Sequence, residues 1–405
     1  MRFPEFSEEW EICKVSELLD FYSTNSLSWE QLEYGTKAIM NLHYGLIHVG
    51  LPTMVDLTRD NLPNIKEDNM PKNFELCKEG DVAFADASED TNEVAKPIEF
   101  FDLAGKNIVC GLHTIHGRDN KHKTVVGFKG YTFSSTVFHN QIRRIAQGTK
   151  IYSISTKNFS ECFIGIPSKV EQTKIATLLR LIDERIATQN KIIEKYESLI
   201  KGLNDSLYAQ YGDDVLTSFS SLGFSYSGLS GKSAQDFGSG KPFITYLNVY
   251  SNNIINEKDF QYVAIKEGEK QNVVEYGDVL FTLSSETPEE VGIGSVYLGN
   301  ENVYLNSFCF GIHIINTKIA FPPYLSYYVS STPFRKFIYP YAQGSTRFNL
   351  CKVDFEKASI KLPSLENQKR IYSILSHIES KTETEKSLLD LYNSQKQYLL
   401  RQMFI

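Results

Sequence analysis

The chain has 405 residues, a length that suits two or more domains rather than one. Its composition is that of a globular protein, with 41% hydrophobic and 22% charged residues. The formal net charge of −7 argues mildly against a nucleic-acid partner, although such binding depends on local charge and not on the total. No apolar run approaches the roughly 20 residues that cross a bilayer. The first residues alternate charged and apolar side chains, unlike a signal peptide, and we expect a cytoplasmic protein without membrane contact.

The cysteines indicate neither a disulfide framework nor a thiolate zinc site, because they lie far apart and form no C-x-x-C pair. Cys110, His113 and His116, with His122, are spaced as a metal cluster would be. The second half of the chain keeps only one similarly placed histidine, His313. We therefore interpret these histidines as strand residues near a ligand surface or in the core, and we expect no metal.

The first predicted domain covers residues 1–166. Its aromatic and β-branched residues, broken by frequent Gly and Asn, predict a mixed α/β fold. Between Asp119 and Glu161 there is no acidic residue at all. A surface that faces phosphates excludes carboxylates and gathers Lys and Arg, whereas buried strands would simply carry few charges of either sign. The basic residues of this interval are Lys121, Lys123, Lys129, Arg143, Arg144, Lys150 and Lys157.

A long helix is predicted over residues 167–212. Ser168 and Glu171 have the S-x-x-E spacing of a capping box, which satisfies free amide groups at a helix start. About forty helical residues would span roughly 60 Å. The heptad spacing of the following residues predicts a helical partner: Ile175, Leu179, Ile182, Ile186, Gln189, Ile193 and Tyr196.

The rest of the chain repeats this plan. Ala146-Gln147-Gly148 recurs as Ala342-Gln343-Gly344 at an offset of 196 residues, and Gly80-Asp81-Val82 recurs as Gly277-Asp278-Val279 at an offset of 197. Matches of this length at nearly one offset indicate an internal duplication. We predict a second domain over 213–362 and a second long helix over 363–405. Within that domain, 243–247 and 303–305 are predicted strands and 323–337 a helix.

A second acid-free interval, between Glu301 and Asp354, lies at the equivalent place in the repeat. Two basic surfaces of this kind predict two DNA-contacting faces, with mostly phosphate contacts and one or two arginines that read guanine edges. The glycine turns would offer backbone amides to phosphate. The predicted contacts are Lys121, Lys123, Lys129, Arg143, Arg144, Gly148, Thr149, Lys150, Lys318, Arg335, Lys336, Gly344, Ser345, Thr346, Arg347 and Lys352.

The C-terminal helix keeps the outer part of the heptad pattern and loses its middle, where Thr382, Glu385 and Lys396 replace apolar residues. If the two long helices pair antiparallel, Gln189 and Glu385 fall near one central layer and fix the register. The alternative is that each helix packs on its own domain. The predicted interface residues of this helix are Ile371, Leu375, Ile378, Glu385, Leu389, Tyr392 and Leu399.

No catalytic motif is complete. Gly231-Lys232-Ser233 lacks the earlier glycine of a phosphate-binding loop. Phe321-Pro322-Pro323-Tyr324 has Phe321 where amino-methyltransferases hold the target amine with a polar residue, and Asp354 has no carboxylate upstream to complete a nuclease metal site. We expect a chain without an active site, and a nuclease or methyltransferase remains a minor alternative.

Taken together, the motifs resemble those of the specificity subunits of type I restriction–modification enzymes. The resemblance spans essentially the whole chain. Its markers are the opening 2–6 with Trp10, the glycine turns at 146–149 and 342–346, and the Pro-Ser-x-x-x-Gln stretches at 167–172 and 363–368 that lead into the long helices.

The resemblance implies a mixed α/β protein with two duplicated target-recognition domains, related by a pseudo-twofold axis and separated by an antiparallel coiled coil. Each domain would read one half of a bipartite, asymmetric site in double-stranded DNA. It also implies two methyltransferase subunits that carry S-adenosylmethionine and dock on the helices, and two translocating endonuclease subunits. Such a subunit is not itself an enzyme and binds no cofactor. A coiled-coil scaffold with two protein-binding domains is the alternative from another functional class.

Overall fold

The computed structural model describes residues 2–36, 38–212 and 214–404. The chain divides into two compact units: the first runs up to Lys191 and resumes at Lys386, and the second is Ile192–Glu385. Each unit therefore contains part of both long helices, whereas the sequence-based boundaries treat each long helix as a segment separate from the domains. Position 213, one of those boundaries, lies outside the described residues. None of the described helices is long and apolar enough to cross a membrane.

The strands of the first unit are β1 (Glu11–Lys14), β2 (Asp20–Tyr22), β3 (Leu32–Glu33), β4 (Met40–Leu42), β5 (Met54–Asp56), β6 (Asn64–Ile65), β7 (Val82–Ala85), β8 (Ala87–Ser88), β9 (Pro97–Asp102), β10 (Ile108–Cys110), β11 (Thr114–Arg118), β12 (Tyr152–Ser153) and β13 (Phe163–Ile166). They form a five-stranded sheet of order β2-β11-β7-β9-β5, a four-stranded sheet of order β10-β4-β6-β3, and the two-stranded pairs β1-β13 and β12-β8. The helices are α1 (Val15–Leu18), α2 (Tyr44–Val49), α3 (Phe128–Phe133), α4 (Thr136–Ile145), α5 (Thr156–Ser160) and the first half of α6 (Lys169–Tyr211).

The strands of the second unit are β14 (Val215–Thr217), β15 (Gly223–Ser227), β16 (Phe237–Ile244), β17 (Gln261–Val263), β18 (Val279–Thr282), β19 (Ser284–Ser285), β20 (Gly294–Val296), β21 (Tyr304–Leu305), β22 (Cys309–Ile314), β23 (Ala342–Gly344), β24 (Phe348–Leu350) and β25 (Ile360–Leu362). They form a four-stranded sheet of order β15-β22-β18-β20, two three-stranded sheets of order β17-β16-β21 and β19-β24-β23, and the pair β14-β25. Its helices are α7 (Phe219–Leu222), α8 (Tyr246–Ser251), α9 (Pro322–Tyr328), α10 (Thr332–Ile338), α11 (Lys352–Lys357) and the first half of α12 (Leu365–Gln402). The mixed α/β prediction is confirmed.

Two predicted elements of the second unit are broken by hydroxyl side chains that cap helices. The helix expected over 323–337 is two helices, because Ser331 accepts a hydrogen bond from the amide of Phe334 and starts α10. The strand expected over 243–247 ends at Ile244, since Thr245 accepts from the amide of Asn248 and begins α8. Local capping thus overrides the aromatic and β-branched pattern.

A buried glutamine near the start of each long helix makes three backbone contacts. Gln172 accepts from the amide of Val125 at 2.9 Å and donates to the carbonyls of Lys123 and Pro167. In the second unit, Gln368 accepts from the amide of Phe321 at 2.8 Å. It donates to the carbonyls of Ile319 and Pro363. Each partner of Gln368 thus stands 196 residues after the corresponding partner of Gln172.

A buried aspartate pairs with a histidine in each unit. Asp81 lies 2.8 Å from His116 and binds both ends of the Arg118 guanidinium. Burial acts to raise the pKa of Asp81, but the hydrogen bonds from His116 and Arg118 hold it below the ordinary value. Asp278 lies 2.8 Å from His313 and accepts from the Tyr226 hydroxyl. No arginine contributes to the shift there, and burial raises the pKa of Asp278.

The two long helices pack together in the first unit. Ile175, Leu179 and Ile182 of α6 share one buried cluster with Leu399 and Met403 of α12. Asp183 forms an ion pair with Lys396 at 2.6 Å, and Arg185 donates to the Tyr392 hydroxyl at 3.1 Å. Residue numbers rise along one helix as they fall along the other, so the helices run antiparallel within this unit.

The same packing holds in the second unit, where Leu203 and Leu207 of α6 pack against the cluster that contains Ile371 and Leu375 of α12. The prediction that the long helices pack together is confirmed. Of the predicted interface residues, Ile175, Leu179, Ile182, Gln189, Ile193, Ile371, Leu375 and Leu399 are buried, and Ile186, Tyr196, Ile378, Glu385, Leu389 and Tyr392 are half-buried. Gln189 and Glu385 fall in different units, and their shared layer stays a prediction.

The predicted capping box forms only in part. The amide of Glu171 donates to the Ser168 hydroxyl at 3.4 Å, as expected for the start of α6. The Glu171 carboxylate, however, binds the Arg2 guanidinium through two hydrogen bonds of 2.6 Å. A bidentate ion pair with arginine is stronger than a hydrogen bond to an amide, so this contact ties the N-terminal residues to the helix.

Candidate nucleic-acid interface

The first glycine turn forms the tip of a small hairpin. Gln147 and Ser153 exchange two backbone hydrogen bonds of 2.9 and 2.8 Å, and β12 pairs with β8. Gly148 has a φ of 141°, and a Cβ added there would collide with the carbonyl oxygen of Ile151. A residue with a side chain does not fit this position without a shift of the backbone. Thr149 and Lys150 are exposed at the tip.

The second glycine turn has the same construction. Strands β23 and β24 pair antiparallel, with Gly344 opposite Phe348, and β24 also pairs with β19. Gly344 has a φ of 147°, and its Cβ would collide with the carbonyl oxygen of Arg347. Ser345, Thr346 and Arg347 are exposed. The two tips therefore present backbone amides, hydroxyl groups and one basic side chain each, without a carboxylate in the loop.

A short helix leads directly into each tip and carries two basic residues in its last turn. On α4, Arg143 and Arg144 are both exposed. Neither makes a hydrogen bond or ion pair with a described residue, so both guanidinium groups are free to meet phosphate. On α10, Lys336 is exposed in the same way.

The structure gives two of the predicted DNA contacts another role. Lys129 is 3% exposed, pairs with Glu99 at 3.1 Å and donates to the Thr124 hydroxyl. Arg335 lies along the core and donates to the backbone carbonyls of Glu289, Val291 and Gly292. Its burial lowers the pKa of Arg335 to about 10. The side chains of Lys129 and Arg335 therefore bind other parts of their own unit, and neither belongs to the proposed DNA-contacting set.

Two other residues of the first acid-free interval are engaged within their own unit. Lys121 donates to the carbonyl of Glu17, and Lys123 forms an ion pair with Glu11; both contacts measure 2.6 Å. The acid-free interval of the sequence thus meets acidic residues from another part of the chain. Lys121 is exposed and keeps its charge, because its partner is a carbonyl, whereas Lys123 is half-buried and its charge is compensated by Glu11.

In the second interval, Lys318 is exposed, and the Arg347 guanidinium lies 5.8 Å from the centre of the exposed Phe308 ring. Lys352 is half-buried, 4.8 Å above the Phe310 ring and 3.7 Å from Glu356. Arg347 is therefore presented together with an aromatic face, which suits stacking as well as phosphate binding.

A cavity beside the first tip, with aromatic side chains in its lining, was not predicted from the sequence. In the first unit a cavity of about 650 Å³ is lined by residues that include Tyr44, His48, Glu93, His113 and the tip residue Ile151. The ring of His113 lies 5.2 Å from that of Tyr44, and its backbone has a φ of 55°. Positive φ is rare for a residue other than glycine. This sharp turn directs an exposed imidazole to the pocket.

The second unit also brings aromatic and acidic side chains together, at Tyr246, Tyr250 and Glu290. Tyr246 and Tyr250 of α8 stack at 6.0 Å. The Tyr250 hydroxyl donates to Glu290 at 2.8 Å, and Ser285 donates to the same carboxylate. These hydrogen bonds lower the pKa of Glu290. A signal was present in the sequence, since Glu93 and Glu290 match at the offset of 197 residues, but nothing local linked them to the aromatic residues.

Comparison with known proteins gives one family and a shared fold. Residues 230–391 match the family described as the type I restriction modification DNA specificity domain. No curated protein matches the chain significantly. The crystal structure of the type I restriction-modification system S subunit from M. genitalium is 16% identical, with a TM-score of 0.53, over 100% of this chain and 99% of that chain.

A second solved structure comes from work on complex assembly and conformational transition of the type I R-M system. It is 16% identical, with a TM-score of 0.60, over 98% of this chain and 97% of that chain. Identities at this level show a shared fold alone.

The family match confirms the resemblance carried by the sequence motifs. Its description is of a DNA specificity domain and not of a methyltransferase or nuclease, which agrees with a non-catalytic subunit. The matched segment includes α9, α10 and the second glycine turn, so the basic helix and hairpin tip described above lie inside it. Residues 230–391, which hold the second basic helix and hairpin tip, thus match the type I restriction modification DNA specificity domain.

Proposed function

We propose that this chain is the DNA-recognition subunit of a type I restriction–modification complex. Its two units are copies of one recognition domain, each of which reads one half of a bipartite site in double-stranded DNA. The observation that carries this proposal is the pair of glycine hairpin tips, at Gly148 and Gly344. Each is exposed, free of carboxylates and joined to a helix with basic residues in its last turn.

The two half-sites differ in sequence, because the two reading surfaces differ in chemistry. The first tip presents Ile151 beside the imidazoles of His48 and His113. The second presents Arg347 beside Phe308 and a pair of tyrosines. Arginine hydrogen-bonds guanine edges, whereas an apolar side chain contacts the thymine methyl group. Surfaces of such different composition favour an asymmetric target.

The long helices dock two methyltransferase subunits, which carry S-adenosylmethionine, and through them two endonuclease subunits. Apolar side chains that remain exposed on the helices support a docking role, since large residues on a solvated helix face are typical of interaction surfaces. On α6 these are Val170, Leu181 and Leu199, and on α12 they are Ile374, Leu391 and Tyr398. The coiled coil would also set the spacing between the half-sites.

The test is co-expression of the chain with its cognate methyltransferase subunit, followed by mapping of modified bases in host DNA. We expect a split motif with a fixed spacer, modified on both strands. Replacing residues 1–166 by the corresponding segment of another specificity subunit should change one half of the motif only. A methyltransferase subunit with an inactivated catalytic residue, expressed with the same chain, gives the background.

Two outcomes would contradict the proposal. A continuous motif would mean that the units do not read separate half-sites. Absence of modification with a methyltransferase shown to be active would favour the coiled-coil scaffold with two protein-binding domains.

A further inference from the structure

A compact group of metal-binding side chains lies buried in the first unit, away from the hairpin tip. Cys77, Cys110 and His116 place one sulfur or nitrogen atom each within 4.8 Å of one another, and all three are buried. The two sulfur atoms are 3.5 Å apart. An ion 2.3 Å from both sulfurs, the usual zinc–thiolate distance, would subtend a S–Zn–S angle of about 100°, which is close to tetrahedral.

The imidazole of His116 is prepared as a ligand. Its Nε2 atom is held by Asp81 at 2.8 Å, and its Nδ1 atom is buried without a hydrogen-bond partner. A histidine that binds a metal through one nitrogen and a carboxylate through the other is the usual arrangement at metal centres, because the carboxylate fixes the ring orientation. A buried polar atom without a partner costs free energy, and a metal ion at Nδ1 would remove that cost.

The charges also balance. Two thiolates neutralise one divalent cation, while Asp81 is neutralised by Arg118, which binds it through two hydrogen bonds of 2.9 and 2.8 Å. Thiolate and imidazole ligands together select zinc among the common divalent ions. We propose that Cys77, Cys110 and His116 bind a structural Zn²⁺ ion, with a small fourth ligand such as water.

Such an ion would join the two larger sheets of the first unit, since Cys110 ends β10 of the four-stranded sheet and His116 lies in β11 of the five-stranded sheet. The proposal differs from the sequence-based expectation of no metal. The sequence groups Cys110 and His116 with His113 and His122, but His113 pairs with Asp86. Cys77, 33 residues before Cys110, joins the group only in the folded chain.

The second unit supplies an internal control. The amide of Cys77 donates to the carbonyl of Ile108, and the amide of Val274 makes the same bond to Val303. Cys110 stands two residues after Ile108, and Leu305 stands two residues after Val303, so Leu305 in the second unit corresponds to Cys110 in the first. The second unit thus keeps a histidine–aspartate pair at 313 and 278 but fills both cysteine positions with buried apolar residues. Val and Leu therefore suit this packing.

The test is the metal content of the purified full-length chain from zinc-supplemented cells. We expect about one zinc per chain, and on exchange with Co²⁺ an absorption band from thiolate-to-cobalt charge transfer. The double variant Cys77→Val/Cys110→Leu should lose the zinc and the band while it remains folded. Asp81→Asn should weaken zinc affinity by about 10- to 100-fold through loss of ring orientation.

The matched control is Cys162→Ala, which removes a buried cysteine of the same unit outside the cluster, and His313→Asn changes the corresponding histidine of the second unit. Both should keep the full zinc content. Wild-type protein without zinc that also fails to bind Co²⁺ would overturn the proposal. An unchanged zinc content in the double variant, or a Cys77–Cys110 disulfide in the freshly purified chain, would overturn it as well.

Discussion

The hydroxyl of Tyr131 donates a hydrogen bond of 2.8 Å to the carboxylate of Asp183, the same carboxylate that pairs with Lys396. One acidic side chain thus connects α3 of the globular part to both long helices of the first unit. In the second unit Tyr327, 196 residues later, donates to Glu379 on α12. A tyrosine on α3 in the first unit and on α9 in the second therefore anchors each globular part to a long helix.

We predict that Asp183→Ala destabilises the first unit by about 2 kcal/mol, because the buried Tyr131 hydroxyl and the Lys396 ammonium both lose their partner. Tyr131→Phe alone should cost about 1 kcal/mol. Denaturant unfolding of the full chain measures both effects. The exposed Asp390→Ala on α12 is the control and should change stability little; an equal loss there would contradict the specific role of Asp183.

Replacement of either buried glutamine should be costly. Gln172→Ala or Gln368→Ala leaves one amide and two carbonyl groups without partners, at about 1–3 kcal/mol for each group that stays buried. We expect a loss of about 3 kcal/mol in the unfolding free energy. Gln397→Ala, at an exposed position of α12, should lie within about 0.5 kcal/mol of the original chain. Similar values for all three variants would show that the contacts of Gln172 and Gln368 carry no special stability.

Arg347→Ala should weaken DNA binding and leave stability unchanged, whereas Arg335→Ala should lower stability and leave the salt dependence of binding unchanged. Loss of the exposed Arg347 should weaken binding to duplex DNA and lower the slope of log affinity against log salt by about 1, without a change in stability. Loss of Arg335 frees three backbone carbonyls and should cost about 2 kcal/mol of stability, with an unchanged salt slope. Binding titrations of the methyltransferase complex at several salt concentrations separate the two. An unchanged slope for Arg347→Ala would remove this residue from the interface.

The glycine tips should not tolerate a side chain. Gly148→Ala and Gly344→Ala force a backbone shift at the tip, so we expect each to weaken recognition of one half-site while the fold persists. The readout is the modified motif, which should lose selectivity in one half. Gly202→Ala is the matched control, because a Cβ there meets nothing within 4 Å and lies in the middle of α6. It should leave recognition intact and stabilise the helix by about 1 kcal/mol.

Acid sensitivity should include a contribution from His139 on α4. Burial disfavours its charged form, and Arg143 adds a like charge, so the pKa of His139 lies below 6.5 in the folded chain. The unfolded chain then takes up the proton first, and the stabilisation is lost as the pH falls from 6.5 through the folded-state pKa. His139→Gln should flatten the pH dependence of the unfolding midpoint in this window. An equal pH dependence in this variant and in the original chain would contradict the role of His139.

Features with long periodicity could be read from the sequence, whereas contacts between distant segments could not. The heptads of α6 run from Ile175 to Tyr196 and predict both the helix and a helical partner, because an apolar seam of this length is typically covered by a second helix. The glycine turns were likewise predictable, since Gly148 and Gly344 repeat with their neighbours. Lys129 and Arg335 show the limit: both stand in acid-free stretches, yet Glu99 and three carbonyls from other segments engage them.

The cavity beside the first tip illustrates the same limit. Tyr44, Glu93 and Ile151 come from distant segments and line one cavity, and the pairing of β8 with β12 brings the tip to it. No local pattern encodes such a meeting. The capping serines at 331 and 135 were readable in principle, but the aromatic residues around them favoured other interpretations.

The cluster formed by Trp10, Phe128 and Leu179 with Leu399 and Phe404 has a consequence for the order of synthesis. During translation the first unit emerges with this apolar surface uncovered, because the residues that close it are made after the second unit. Domains often fold on the ribosome as soon as they emerge, but this one must wait until α12 has been made. A transcript cut short inside the second unit would leave a nascent protein with this apolar surface exposed to solvent, which would make it a substrate for chaperones and proteases.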